Sequence, residues 1–358
     1  MSAPDLLQRI RAFIDARTDG SSAPRERDAL LTELYALQAQ TVAPLAHFLA
    51  SERRRPAAFG VPALPTDAFR FARIAAHPVA RDQRVFRTSG TTGAFRGQHS
   101  FEDLSLYDQA ARSAARHALF PDRERMRLIV LAPSEHELAD SSLSYMLARF
   151  REWFGVEPSA HVWGRGQLQV DRLFAELAAA QEHDEPVALL GTSFAFVHAD
   201  DALPSRLQLP AGSRIMQTGG FKGRSRSIEP AAMLELLSLR YGVPPAFIVQ
   251  EYGMTELSSQ CYENTLRAAA LGAPVPPRRL WVPGWVRAEV VDPETLAPVA
   301  HGQIGLLRLD DLANVNSVCA IQTSDLAQRD DAGLIVLGRA PDAIARGCSI
   351  AVDAWLGG

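Results

Sequence analysis

The sequence predicts an α/β fold, a largely parallel sheet flanked by helices, followed by a small antiparallel β region. Short apolar runs of strand length at 127–131, 187–190, 215–217 and 246–249 alternate with longer stretches at helical spacing, which is the pattern of βαβ units. Loops rich in glycine or hydroxyl groups follow candidate strands after Val85, Gln217 and Gln250. In open parallel sheets ligands sit beyond the carboxyl ends of the strands. The texture changes after about Pro276, where 285–291, the turn Asp292-Pro293-Glu294-Thr295 and 304–309 read as an antiparallel meander. The expected organisation is a core over 1–276, a β-rich subdomain of the same domain over 277–340, and a short tail over 341–358.

The elements follow in order. Residues 5–16 and 27–53 carry apolar side chains at helical spacing, among them Leu30, Leu31, Leu34 and Leu37, then Val42, Leu45 and Leu49, with an interruption near Pro44. A proline-punctuated loop over 56–65 leads through 69–76 to the first hydroxyl-rich loop. Ser100-Phe101-Glu102-Asp103 has the spacing of a capping box and predicts a helix N-terminus there. Helices are predicted over 104–119, 141–154, 168–180 and 231–241, and a last strand over 334–337.

Composition limits the function classes. The 358 residues are 47% hydrophobic and 22% charged, enough to bury a large core. A formal net charge of −4 gives no global attraction to nucleic acid, which is not expected as a partner. No signal-peptide core and no stretch of membrane-spanning length is visible, so a cytoplasmic location and no membrane partner are expected. Cys261, Cys319 and Cys348 are widely spaced and odd in number, which fits neither a disulfide framework nor a zinc site.

Three loops carry chemistry. Thr88-Ser89-Gly90-Thr91-Thr92-Gly93 combines hydroxyl donors with two glycines that let successive backbone N–H groups converge on an anion, and Arg96 adds a fixed positive charge. Read alone, the stretch suits a solvated turn as well as a phosphate cradle. A Walker A loop is excluded, because the only lysine, Lys222, is followed by Gly223. Thr218-Gly219-Gly220-Phe221-Lys222-Gly223 is the second loop. Its ammonium either survives by chance in an arginine-dominated chain or does what arginine's planar fork cannot. The third is Tyr252-Gly253-Met254-Thr255-Glu256, with a ring for stacking, a glycine for close approach, a hydroxyl donor and a carboxylate suited to magnesium.

The first loop resembles the phosphate loop of the adenylate-forming superfamily (acyl-CoA synthetases, peptide-synthetase adenylation domains, luciferases), with arginine in place of the usual lysine. Tyr252-Gly253-Met254-Thr255-Glu256 is similar to that family's Tyr-Gly-x-Thr-Glu motif. Thr323-Ser324-Asp325 is similar to its Thr-Gly-Asp element, and Gly338-Arg339 to its later Gly-Arg element, with Asp342 near the hinge position. The order is that of the family, over roughly 85–350. Ser141-Ser142-Leu143, Gly219 to Gly223 and a terminal Arg346-Gly347-Cys348-Ser349 resemble the acyl-protein synthetase group, which activates fatty acids for bacterial bioluminescence reductases.

The resemblance implies the large N-terminal domain of an adenylate-forming enzyme. Because the chain stops at Gly358, the mobile lid domain with its catalytic lysine is expected to be absent. It implies ATP and Mg2+ as cofactors, a fatty or aromatic carboxylic acid as substrate, and an acyl-accepting reductase or carrier as a possible partner. Thr88 to Gly93 and Arg96 would hold the β- and γ-phosphates. Gly219, Gly220, Tyr252, Gly253 and Met254 would border the nucleotide, Thr255 the α-phosphate, Glu256 the metal, and Asp325 and Arg339 the ribose. Lys222 would take over the missing lysine's work, and Cys348 would accept the acyl group, with Cys261 as second candidate. A pyridoxal phosphate lysine is the rival reading of Lys222. Two alternatives stay open for the whole chain: an aryl-acid activator handing its adenylate to CoA, a carrier protein or a reductase, and an inactive nucleotide-binding partner. Phe194, Phe196 and Met146 suit either an acyl pocket or plain core.

Overall fold

The computed structural model describes residues 3–50, 61–89, 96–219 and 228–340. Gly90, Thr91, Thr92, Gly93, Gly220, Lys222 and Cys348 therefore lie outside the described residues, as do Asp342 and Arg346. The chain forms two compact units that interleave along the sequence, one drawing on 1–113, 254–260 and the part from 279 onward, the other on 114–253 and 261–278. Strands and helices are numbered along the chain.

The first unit begins with α1 (Ala3–Asp15), α2 (Pro24–Thr41) and α3 (Ala43–Ala50). The predicted break near Pro44 falls at Val42, between α2 and α3. Arg9 of α1 and Glu33 of α2 pair at 2.6 Å. After β1 (Leu64–Pro65) and the single turn α4 (Ala68–Phe71) comes an antiparallel hairpin of β2 (Arg84–Arg87) and β3 (Gln98–Phe101). Here the structure corrects one expectation. Ser100 pairs with Val85 inside this hairpin and caps nothing. The helix α5 (Ser105–Ala118) starts later, where Asp103 Oδ1 accepts the N–H of Ser105 at 2.7 Å. Hairpin pairing outweighs the local capping pattern, since a Ser at a paired position cannot also turn the chain into a helix.

The later part of this unit is the predicted meander. The strands β12 (Leu280–Trp281), β13 (Val286–Val291), β14 (Ile304–Asp311), β15 (Ala320–Asp330) and β16 (Gly333–Arg339) lie in the order β13-β14-β15-β16-β12, all antiparallel, with β1 parallel to β15. Cys319, directly before β15, is buried, and its N–H donates to Gln38 Oε1 at 2.8 Å.

The second unit is the parallel part. Its strands are β4 (Met126–Leu131), β5 (Gly155–His161), β8 (Val187–Thr192), β9 (Arg214–Thr218), β10 (Ile248–Tyr252) and the antiparallel β11 (Cys261–Glu263), in the order β11-β10-β9-β8-β4-β5. A small hairpin joins β6 (Trp163–Gly164) to β7 (Gln167–Leu168). Every residue of β4 is buried, as expected of a strand covered on both faces. The helices are α6 (Ser142–Phe154), α7 (Val170–Glu182), α8 (Ser193–Ala202), α9 (Pro230–Tyr241) and the short α10 (Thr265–Ala270). Ser141 and Thr192 cap α6 and α8, accepting the N–H groups of Ser144 and Ala195 at 3.1 Å. At the end of α9, Gly242 takes the left-handed conformation (φ 64°) that closes a helix without a Cβ penalty. Leu173, Leu177, Phe196, Leu237 and Tyr241 from these helices pack on Ile129, Leu189, Ile215 and Ile248 of the strands. Phe196 and Met146 are thus fully buried core residues, and Phe194 stacks on His198.

Candidate active site

The candidate site of the first unit is built on the β2–β3 hairpin. Phe86 anchors it from below, packed edge-on against Phe101 with centroids 5.4 Å apart. The loop that the hairpin carries is closed at its neck by two hydrogen bonds: Thr88 N–H donates to Gly97 O at 2.9 Å, and Gly97 N–H donates to Thr88 Oγ1 at 3.0 Å. Arg96 folds back on the same neck, its Nε donating to Thr88 O at 2.5 Å and a terminal nitrogen to Arg87 O at 3.2 Å. Ser89 follows directly above. The neck holds the loop's two ends together while leaving Thr88 its hydroxyl hydrogen to donate.

Glu256 lies against the foot of this loop. A β-carbon on Gly97 would stand 3.0 Å from Thr88 Cγ2 and 3.5 Å from both Arg70 Cγ and Glu256 Oε1. The Thr88 contact is tighter than an ordinary one, whereas the other two are normal van der Waals distances, so all three side chains surround Gly97 closely. Glu256 is 7% exposed, and burial pushes its carboxyl up to about 7, with Arg339 pulling it down and Asp67 and Asp325 pushing it further up. Asp325 of β15 and Arg339 of β16 occupy paired positions, Arg339 Nε 3.6 Å from Asp325 Oδ1. Arg339 is 86% exposed, so this pair holds little stability of its own and leaves the guanidinium accessible.

A buried polar frame supports the segment that carries Glu256, and sequence reasoning missed it. His99 Nδ1 lies 2.8 Å from Thr255 O, and Asn314 Nδ2 donates to Glu256 O at 2.9 Å. Asp311 accepts the N–H of Ser258 at 3.0 Å and the hydroxyl of Ser259 at 2.7 Å, and Trp285 Nε1 donates to Ser259 Oγ at 3.0 Å. All these side chains are buried. The signal that pointed to them was weak: Asp311, Asn314 and Ser317 stand among further polar residues, Arg308, Asp310 and Asn316, in the mixed stretch between Leu306 and Ile321.

The second unit, taken by itself, carries candidate loops at the carboxyl ends of β9 and β10. Gly219 follows β9 directly, with φ 72°. Tyr252 ends β10, half-buried and opposite the buried Cys261 of β11, and Gly253 follows it. Glu251 and Thr218 are register partners, and the Thr218 hydroxyl donates to the Glu251 carboxylate. Glu251 is fully buried, and burial pushes it up to about 7 against that hydrogen bond. Ser193 Oγ lies 2.9 Å from Gly219 O and also within hydrogen-bond distance of the Gln217 side chain, beside the start of the glycine loop.

Among the described residues, no group of three or more His, Cys, Asp and Glu side chains is placed to hold a metal ion, and no helix is long and apolar enough to cross a membrane. Magnesium does not require such a cage, since it is commonly held by one or two carboxylates together with substrate phosphates and water. A single buried carboxylate at the foot of a hydroxyl-rich loop fits that mode of binding.

Two crystal structures of 2-hydroxyisobutyryl-CoA ligase share this fold. One, in an open conformation with 2-HIB-AMP and CoA, matches with a TM-score of 0.64 at 14% identity, covering 90% of this chain and 77% of that one. The other, in the thioesterification state, gives 0.65 at 15% identity, covering 91% and 71%. By sequence, the chain is 22% identical over 292 residues to a long-chain-fatty-acid–luciferin-component ligase of Aliivibrio fischeri, covering 79% of this chain and 71% of the relative. It is likewise 22% identical over 207 residues to the ligase of that name from Vibrio harveyi, covering 56% and 51%. The family model described as acyl-protein synthetase, LuxE, matches residues 57–356, and the chain belongs to that family.

Proposed function

We propose that this ligase activates a carboxylic acid with ATP and passes the acyl group to a thiol. A carboxylate oxygen attacks the α-phosphorus of ATP and pyrophosphate leaves. A thiolate then attacks the acyl carbon and AMP leaves. The observation that supports this reading is the position of Glu256 at the foot of the Thr88–Gly97 neck, a buried carboxylate beside a hydroxyl-rich loop. When bound, magnesium would neutralise phosphate charge, and Glu256 would hold it.

The chain's own residues then have these roles. Thr88, Ser89 and the loop above them bind the β- and γ-phosphates, with Arg96 keeping the neck closed through the Arg87 and Thr88 carbonyls. Thr255 donates to the α-phosphate, Asp325 and Arg339 bind the ribose, and Gly219, Gly220, Tyr252, Gly253 and Met254 border the base. Lys222 draws the carboxylate and α-phosphate together by charge, and Cys348 receives the acyl group. The names of the Aliivibrio and Vibrio relatives favour a long-chain fatty acid, and the reaction is proposed for the cytoplasm.

Acid-dependent exchange of labelled pyrophosphate into ATP tests the reading, with fatty and aromatic acids in parallel. Exchange with long-chain fatty acids is expected. A folded protein that binds nucleotide but exchanges with no acid would overturn it and leave a nucleotide-binding partner protein. Covalent labelling by radioactive acid, lost in Cys348→Ala with exchange retained, identifies the acceptor.

A further inference from the structure

We infer that His99 is a positioning residue for Thr255 and Glu256, its ring joining the hairpin that carries the phosphate loop to the segment that carries the carboxylate. This rests on the activity proposed above. The hydrogen-bond directions follow from chemistry. A carbonyl only accepts, so the nitrogen 2.8 Å from Thr255 O, Nδ1, carries a hydrogen. The ring is completely buried, and burial pushes it down to about 4, so it is neutral at physiological pH. Nε2 therefore accepts, and its partner at 3.0 Å, Ser317 Oγ, donates its single hydrogen there. Asn314 Oδ1 is then supplied by Ser258 Oγ at 2.9 Å, while Asn314 Nδ2 donates to Glu256 O at 2.9 Å and to Val318 O at 2.8 Å.

Two consecutive carbonyls, those of Thr255 and Glu256, are thus pinned by two side chains from distant parts of the sequence. Pinning both carbonyls sets the peptide planes on either side of Glu256 and hence the directions of the Thr255 hydroxyl and the Glu256 carboxylate. His99 stands two residues after Gly97 on β3 and pairs there with Phe86, so the distance from loop neck to Thr255 is spanned by a short, paired strand. The ring is held between Phe101, 4.1 Å away by centroids, and Phe69, edge-on at 5.7 Å, which restrain it on two sides. Any shift of the neck is transmitted to Thr255 through this ring, and a misplacement on the order of 1 Å is enough to cost a reaction heavily.

The experiment compares His99→Asn, whose amide nitrogen takes the place of Nδ1, with His99→Gln, whose amide takes the place of Nε2, and with Ser317→Ala. The first readout is pyrophosphate exchange split into kcat and KM for ATP; the second is amide hydrogen exchange over 254–260. His99→Asn keeps the Thr255 bond and is expected to retain most of kcat. His99→Gln is expected to lose about tenfold or more in kcat with KM within about twofold, and to expose the amides of 254–260 while those of β4 stay protected. Ser317→Ala, a milder change should His99→Gln fail to fold, is expected to fall between them on both readouts. Unchanged protection over 254–260 in His99→Gln and Ser317→Ala, or equal losses in both His99 variants, would overturn the inference. Should the unsubstituted protein show no exchange with any acid, the proposed activity falls, and the amide readout still decides whether His99 positions this segment.

Discussion

Glu256 Oε1 sits 3.5 Å from where a β-carbon on Gly97 would stand, and Thr88 Cγ2 sits 3.0 Å from the same point. A methyl group there would press on Thr88 and meet the carboxylate at van der Waals distance, so a larger, branched side chain would crowd both. Gly97→Val would place branched carbon there without violating the backbone, since Gly97 has no positive φ. It is expected to displace Glu256 and Thr88 and to lower pyrophosphate exchange by roughly a hundredfold. Overpacking one buried position by about 1–3 kcal/mol should lower the thermal midpoint by only a few degrees in a chain of this size. Exchange within about twofold of the parent would mean that the loop foot is not where phosphate is handled.

Glu256→Gln separates charge from shape. The amide fills the same space but supplies no anionic oxygen to a metal, so exchange is expected to fall by about a hundredfold and the magnesium requirement to rise. Stability should hold or improve, because a buried ionisable group is removed. Asp325→Asn should instead raise KM for ATP with a smaller effect on kcat, as befits a contact made equally in ground and transition states. The same kcat and KM pattern in both variants would argue against their separate assignments.

Asp311 is expected to contribute stability through the frame beneath this segment. It is fully buried and accepts from Ser258 N, Ser259 Oγ and Ala313 N. In Asp311→Asn one oxygen becomes an NH2 that must face one of those donors. A loss of about 1–3 kcal/mol in urea unfolding follows from leaving buried donors unmatched. A neutral result would show that the 254–260 segment rearranges freely.

How much of this was legible in the sequence depends on the range of the interactions. The parallel strands were readable because both faces are buried, so Leu128 to Leu131 or Ala188 to Leu190 appear as unbroken apolar runs. Thr88 and Glu256 were readable as motif residues, but their adjacency exists only once the hairpin and the 254–260 segment are folded together. The polar frame was not readable, since residues 99, 255, 311, 314 and 317 have no shared period and their bonds span up to 218 positions. Ser100 shows the opposite case, a clear local pattern overridden by strand pairing. The helix α8 escaped because its ten residues are too short for a distinct period, and its Thr192 cap is recognisable only with the helix in place.

Glu251 supplies a pH test independent of activity. Its carboxyl is pushed from the ordinary 4.5 to about 7 by burial, so the folded chain binds a proton that the unfolded chain has already released between those values. Below about pH 4.5 the group is protonated in both states and carries no ionic penalty. As pH rises through about 7 the stability associated with the bound proton is lost, because more protons bound in the folded state mean stability that falls with pH. Glu251→Gln keeps an oxygen for the Thr218 hydroxyl and never ionises. Its stability relative to the parent, read from urea unfolding, should therefore be greater at pH 8.5 than at pH 5.5 by about 2 kcal/mol. Equal differences at the two pH values would show that a cation already neutralises Glu251 in the folded chain.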